Sequence, residues 1–458
     1  MNAAGEGTLR RRDRVAGWLD RLGTVAFGVL IVVMPWRLRA DPFAHPTALP
    51  APLSDVVVYA VDGLVAATLA LWLIARLIDR RGVDLGPRPL LVPIAVLVAL
   101  AWLTLPFGVA PGLSVFGAVR TTALAGLYLY VVNRVGGLAS LALPIGAMLG
   151  LQAGVAIGQF VTQHSVGLGR LGELGLDPSV SWSSIVLRED GVRILRAYGL
   201  STHPNVLGGF LAAGIPLLLA RRPAGLPGRT LQALVIAATI GGLLVTFSRG
   251  AWLGAGVGIL VFLAVLGIRA LRADGRQWLA LGGLVVLVAV IGGWQVRQEL
   301  VVRTGLTAGP IATERRSVDE RLAQIDLGWR VFLERPLQGA GMSAVPVEMQ
   351  RLDPAFPFFY YPPHLVPLAV AAELGIGGGL AILGLLVAPW LLLLRARARW
   401  NRELAAASGA LAVVTVAGLF DDYPWVGGPG RTLLWVVVGL WAVAWQRARA
   451  TDGSLDGG

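Results

Sequence analysis

With four histidines and no cysteine, this chain has few ways to move a proton or form a covalent intermediate. The missing cysteines exclude a disulfide framework, a thiolate metal site and a cysteine nucleophile. His364 follows Tyr360-Tyr361-Pro362-Pro363 at the mouth of a long apolar run. The two prolines suit a helix start, so the imidazole belongs at a membrane–water boundary. There it is either an interfacial capping residue or a general base, since histidine titrates near neutral pH and can take a proton from a hydroxyl. Asp421 and Asp422 open a later connection and would orient His364, bind an acceptor, or simply be solvated.

The arginines suggest anion chemistry. Arg249 sits in Thr246-Phe-Ser-Arg-Gly250, a tight connection between two apolar runs. Arginine suits bidentate phosphate contact. Arg120 lies about eight residues, or roughly 12 Å, into another apolar run by helical rise. A charge at that depth needs a polar cavity or a partner, so pairing with Asp62 and anion binding both stand open. Glu373 follows His364 by about two and a half helical turns. A regular helix then puts the two on opposite faces, and Glu373 is not expected to orient His364. It fits a structural hydrogen bond at least as well as catalysis. There is no P-loop, HExxH or dinucleotide fingerprint. Nor is there an outer Asp-x-Asp pair to hold a sugar nucleotide through a metal. No cofactor or metal is expected, so arginines would neutralise a leaving diphosphate.

Positioning these residues falls to hydrophobic helices. The 458 residues are 55% hydrophobic and 14% charged, more apolar surface than a soluble domain can hide. Apolar windows fall at 22–38, 56–78, 90–107, 114–132, 138–163, 204–220, 230–247, 251–268, 278–296, 364–394, 404–420 and 431–446. They predict an all-α polytopic membrane protein of about twelve transmembrane helices, read as one membrane domain over 1–458. The run 364–394 is long enough to tilt or break. Arg10-Arg11-Arg12 precedes the first run, which lacks a small-residue cleavage site and reads as a retained span.

The net charge of +12 is spread in short clusters between spans, which speaks for membrane orientation and against nucleic acid. With cytoplasmic termini, 22 of the 39 arginines lie inside and only four, Arg37, Arg39, Arg249 and Arg431, on short outer connections. Clusters such as Arg395-Ala-Arg397-Ala-Arg399 then hold topology. Two long connections, 164–203 and 297–363, fall outside, where specific function is expected. In the second, Ser317-Val-Asp-Glu320 has capping-box spacing and is expected to open a helix that Pro336 closes. Its stripe of Leu322, Ile325, Trp329, Phe332 and Leu333 should rest on the bundle and bring Arg321 toward it.

Several of these segments resemble the O-antigen ligase and polymerase superfamily. They are His203-Pro-Asn205-Val-Leu-Gly-Gly209, Ser248-Arg249-Gly250 and Arg321 into Glu334-Arg335-Pro336-Leu337-Gln-Gly-Ala-Gly341. His364 to Glu373-Leu-Gly375 and Phe420-Asp421-Asp422-Tyr423 with Gly430-Arg431 complete the set. The resemblance covers about 190–445. After its histidine this chain has Leu365 where the family often has Asn. The resemblance implies a glycosyltransferase C-like membrane fold with a large helical extracytoplasmic loop. It implies a metal-independent transferase of the bacterial inner membrane, active on its periplasmic face. The donor would be an undecaprenyl diphosphate-linked glycan, and the acceptor lipid A-core, another glycan or a protein side chain. On this resemblance His364 is the essential histidine, and Arg249 and Arg321 hold the diphosphate, with Arg120 a further candidate. His203, Asn205, Glu373, Asp421, Asp422 and Tyr423 are supporting candidates. The expected outcome is inversion by single displacement, with a groove between spans holding the polyprenyl tail. An O-antigen or exopolysaccharide polymerase of the same superfamily is the nearest alternative. A lipid-linked glycan flippase, or a cell-wall polymerase with Asp421 or Asp422 as base, also stays open.

Overall fold

The computed structural model describes residues 3–43, 56–304, 312–395 and 400–450. Arg397 and Arg399 of the arginine cluster lie outside these residues. Among the described residues each apolar window falls on a helix. The first five are α1 (Ala3–Val33), α2 (Ala60–Asp79), α3 (Arg88–Leu103), α4 (Pro111–Arg134) and α5 (Ala142–Thr162). Next come α6 (Pro204–Leu218), α7 (Gly225–Val245), α8 (Arg249–Ala273) and α9 (Gly275–Gln295). Three non-spanning helices follow, α10 (Arg297–Thr304), α11 (Ala312–Glu334) and α12 (Val345–Leu352). The chain then returns through α13 (Val366–Arg395), α14 (Arg402–Phe420) and α15 (Gly428–Ala450).

Nine of the described helices are long and apolar enough to cross a membrane. The apolar helices α3 and α6 have only 16 and 15 residues, and the 23-residue α15 carries Arg431, Arg447 and Arg449. The protein is an all-α polytopic membrane protein. Two small antiparallel hairpins depart from the helical pattern. Residues 56–59, expected to be helical, form β2 (Val56–Tyr59) against β1 (Arg39–Phe43), and β3 (Ile185–Leu187) pairs with β4 (Arg193–Leu195).

Helices α6, α14 and α15 are buried along nearly their whole length and form the centre of the bundle. Small residues allow this. A Cβ on Gly258 of α8 would lie 2.8 Å from the Gly409 carbonyl oxygen of α14, and one on Gly409 equally close to that of Gly258. Such contacts replace the hydrophobic drive that lipid cannot supply. At the periphery, α9 has almost no buried surface.

Helix α13 breaks at Gly375, whose φ is 72°. The break releases carbonyls that a loop segment takes up. Ala340 and Gly341 N–H donate to Ala372 and Glu373 carbonyls at 2.8 and 2.9 Å, and Ile376 N–H donates to the Pro336 carbonyl at 2.8 Å. Gly339 and Gly341 hold positive φ there, and a Cβ on Gly339 would collide with the Glu373 backbone. The 334–341 motif is therefore a plug that satisfies a broken span, as non-helical backbone at membrane depth requires.

Helix α11 corrects two expectations. It starts at Ala312, upstream of the Ser317 capping box, although it stops before Pro336 as expected. Its Gln324, Leu327, Gly328 and Val331 face is buried, whereas Leu322, Trp329 and Leu333 are exposed. The apolar stripe is thus only partly packed: Ile325 and Phe332 are half-buried, while the other three face outward. Near a bilayer an apolar stripe can face lipid, so periodicity alone does not say which side packs.

Candidate active site

His364 is placed by the turn before α13. Pro363 packs against Gly328 of α11, where any Cβ would crowd its ring. This fixes the imidazole between α11 and the end of α14. Its Nδ1 lies 3.4 Å from Asp422 Oδ1 and 3.5 Å from Asp421 Oδ1. Those separations exceed normal hydrogen-bond length, so charge attraction dominates. With Nδ1 turned to the acids, Nε2 is the nitrogen left to meet a substrate.

The charges set each group's proton affinity. Burial alone would lower the His364 pKa, but Asp422 and then Asp421 reverse this and raise it to about 10. Burial pushes Asp421 up, yet His364 and Arg321 outweigh it and hold that carboxyl well below the usual range. Asp422 goes the other way, because burial and the Asp421 charge raise it more than His364 lowers it. The resting cluster therefore has a protonated imidazole and an ionised Asp421, with Asp422 the more readily protonated carboxyl.

Asp421 is the hub. Its Oδ2 accepts from Asn205 Nδ2 at 2.7 Å and lies 4.0 Å from Arg321 Nη2. Asn205 Oδ1 accepts in turn from Arg196 Nη2 at 2.7 Å. His203 caps α6 by accepting the Asn205 N–H at Nδ1, 3.1 Å away. Burial first, then the Arg196 charge, lowers the His203 pKa to about 3, so this imidazole is neutral and its proton belongs on Nε2. The structure thus brings together His364, Asp421, Asp422, Arg321, His203 and Asn205.

Other candidates are positioned differently. Arg120 makes a two-point contact with Asp62 at 2.6 and 3.0 Å and donates to the Val57 carbonyl at 2.6 Å. Of its two readings this geometry favours the structural pair. Arg249 opens α8, and its Nη1 donates to the Arg303 carbonyl of α10 at 3.4 Å. Tyr423 is buried with its phenol against Gly209 of α6. Glu373 does not reach His364: its two oxygens accept from Ser343 N–H at 2.9 Å and Trp425 Nε1 at 2.7 Å. It braces the same connection that carries Asp421 and Asp422.

Arg196 belongs with this group although its sequence context did not single it out. It is buried, and also donates to the Thr246 carbonyl at 2.8 Å and Ser184 Oγ at 2.9 Å. The available signal was an arginine inside the apolar run Ile194-Leu-Arg-Ala197.

Beside the cluster, Leu322, Ile325, Asp326 and Trp329 of α11 line a groove of about 350 Å³ with Leu365 and Leu368. Leu365 thus contributes apolar wall next to the histidine. His364, Asp421 and Asp422 also offer ligand atoms all within 4.8 Å of one another, so a cation could be held there. The chemistry available is proton transfer at an imidazole backed by carboxylates, next to an arginine and an apolar slot.

Residues 233–383 match the family model for O-antigen ligase. The match runs from α7 into α13 and includes Arg249, Arg321, His364 and Glu373. No curated protein matches the chain.

Proposed function

We propose that this membrane protein is a glycosyltransferase using a lipid diphosphate-linked glycan, a reading supported by the match of residues 233–383 to the family model for O-antigen ligase. In this reading it moves a glycan from undecaprenyl diphosphate to an acceptor hydroxyl of lipid A-core or a similar glycolipid. It works on the periplasmic face of the inner membrane, with both termini cytoplasmic. The observation that carries the reading is the juxtaposition of an apolar groove, Arg321 and the His364–Asp421–Asp422 cluster. A polyprenyl diphosphate needs that combination, with a slot for the tail and a cation for the diphosphate.

The reaction follows from the donor. A sugar C1 bonded to diphosphate is already activated, so the enzyme must deprotonate the acceptor and stabilise the departing anion. Neutral His364 takes the hydroxyl proton at Nε2 as the acceptor oxygen bonds to C1. The bond from C1 to the phosphate oxygen breaks on the opposite side, which inverts the anomeric centre. Arg321 receives the charge that develops on the diphosphate. Asp421 and Asp422 orient the imidazole and stabilise its cation, the role a carboxylate has behind a catalytic histidine. No metal has a role in this scheme.

The test is transfer by the purified protein in liposomes from a glycosylated undecaprenyl diphosphate to an acceptor glycolipid, with and without EDTA. Product in both conditions is expected. Carrier translocation without a new glycosidic bond would overturn the enzyme in favour of a flippase. Loss of product with EDTA would instead assign the three-residue cluster to a cation. The raised Asp422 carboxyl favours one second reading, a polymerase with Asp422 as base. There Asp422→Asn would abolish transfer while His364→Gln retained it.

A further inference from the structure

Under the orientation expected from the arginine count, Arg37 and Arg39 lie on the outer side, where topology does not call for them. The main chain holds them firmly: Arg37 N–H donates to the Leu200 carbonyl at 2.6 Å, and Ala60 N–H donates to the Leu38 carbonyl at 2.8 Å. Arg39 reaches Asp41 at 3.5 Å and stands beside the Tyr59 phenol. Arg37 is partly buried, and among the described residues its guanidinium has no hydrogen-bond or ion-pair partner. Burial, and then repulsion from Arg39, lower its pKa. A neighbouring anion would relieve both.

The backbone ties this pair to the cluster through one loop: the Leu200 carbonyl that holds Arg37 is three residues from His203, whose partner Asn205 donates to Asp421. Leu200, which holds Arg37, belongs to the loop of Tyr198 and His203, whose rings meet edge to face at 6.0 Å. Arg321 enters from α11, on another wall.

We propose that Arg37 and Arg39 form a second anion subsite, which receives the phosphate or carboxylate groups of the membrane-anchored acceptor while Arg321 serves the donor. The assignment rests on the transferase reading above. It gives the site two cationic walls, one for each substrate, so that both could bind without competing for one arginine. Anionic lipid headgroups share this chemistry, and the experiment separates the two sources.

The full chain is placed in phosphatidylcholine nanodiscs, with and without phosphatidylglycerol. Affinity is measured for a glucosamine disaccharide bisphosphate lipid, for its dephosphorylated form and for undecaprenyl diphosphate. Arg37→Gln with Arg39→Gln is expected to weaken the bisphosphate lipid by about tenfold or more, the scale of a charge-assisted contact. The other two affinities should stay within about twofold, a readout that also shows the variant is folded. Arg37→Lys with Arg39→Lys should keep part of the bisphosphate affinity. An unchanged bisphosphate affinity, or an equal loss for the dephosphorylated lipid, overturns the subsite. Loss of phosphatidylglycerol enrichment alone, with bisphosphate binding intact, assigns a headgroup site and also overturns it. Failure of the wild type to bind undecaprenyl diphosphate sinks the transferase reading instead, leaving the bisphosphate comparison to decide the subsite.

Discussion

Nδ1 of His364 stands 3.4 Å from Oδ1 of Asp422, which joins the start of α13 to the connection between α14 and α15. The imidazole therefore has a charged backstop on one side and a free nitrogen on the other. His364→Ala should lower glycan transfer by about 10²- to 10⁴-fold, the usual worth of a positioned base. Transfer assayed in membranes, with protein level and lipid-linked donor measured alongside, checks this. Unimpaired transfer would remove His364 from the mechanism.

The same pair predicts a pH profile. Only neutral His364 can accept a proton, and its pKa is raised to about 10 by the carboxylates against the effect of burial. The neutral fraction then grows about tenfold per pH unit below that value. Transfer should climb from neutral pH and level off near the pKa. Asp422→Asn removes an attraction for the imidazolium, lowers the His364 pKa and moves the climb to lower pH. A profile identical in wild type and variant would refute the coupling.

Arg321→Ala should weaken donor binding by about tenfold or more, since a charge-assisted contact is worth roughly 1.5–3 kcal/mol. Arg321→Lys should not fully restore it, because an ammonium cannot present the planar fork that matches phosphate. Titration with undecaprenyl diphosphate would show this, and wild-type affinity in the lysine variant would contradict two-point contact.

The groove makes a chain-length prediction. Trp329→Asp places a charge on its apolar wall. It should weaken a long polyprenyl diphosphate far more than a short isoprenyl analogue that does not fill the slot. Equal weakening of both would locate the tail elsewhere.

Gly339 tests the plug in α13. Its φ is +68°, and a Cβ would meet the Glu373 backbone. Gly339→Ala should destabilise the protein by an amount on the order of 1–3 kcal/mol for the strained backbone alone. A lower midpoint in thermal unfolding in detergent would show it, and an unchanged midpoint would mean the plug is not tightly seated.

The sequence revealed the helices because lipid demands long apolar runs, and apolar runs are visible residue by residue. It also exposed His364 and the Asp421–Asp422 pair, since charge at the end of an apolar run stands out, and Arg321 through its place on the loop helix and the family resemblance. The pairing of Arg120 with Asp62 was one of two readings, and only tertiary geometry could favour it. Arg196 stayed hidden because its partners are the backbone at Thr246 and the side chains of Asn205 and Ser184, brought close by folding alone. Helix α11 shows a subtler limit. Its stripe was legible, but Arg321 reaches Asp421 from the border between the stripe and the buried face. The stripe itself is only half covered.

The interruption at Gly375 has a mechanical consequence. The 336–341 loop is bonded to α13 on both sides of it, through the Ala372 and Glu373 carbonyls before the break and the Ile376 N–H after it. The break is thus pinned at both edges, and the short segment after His364 keeps station with the loop and with the start of the spanning half together.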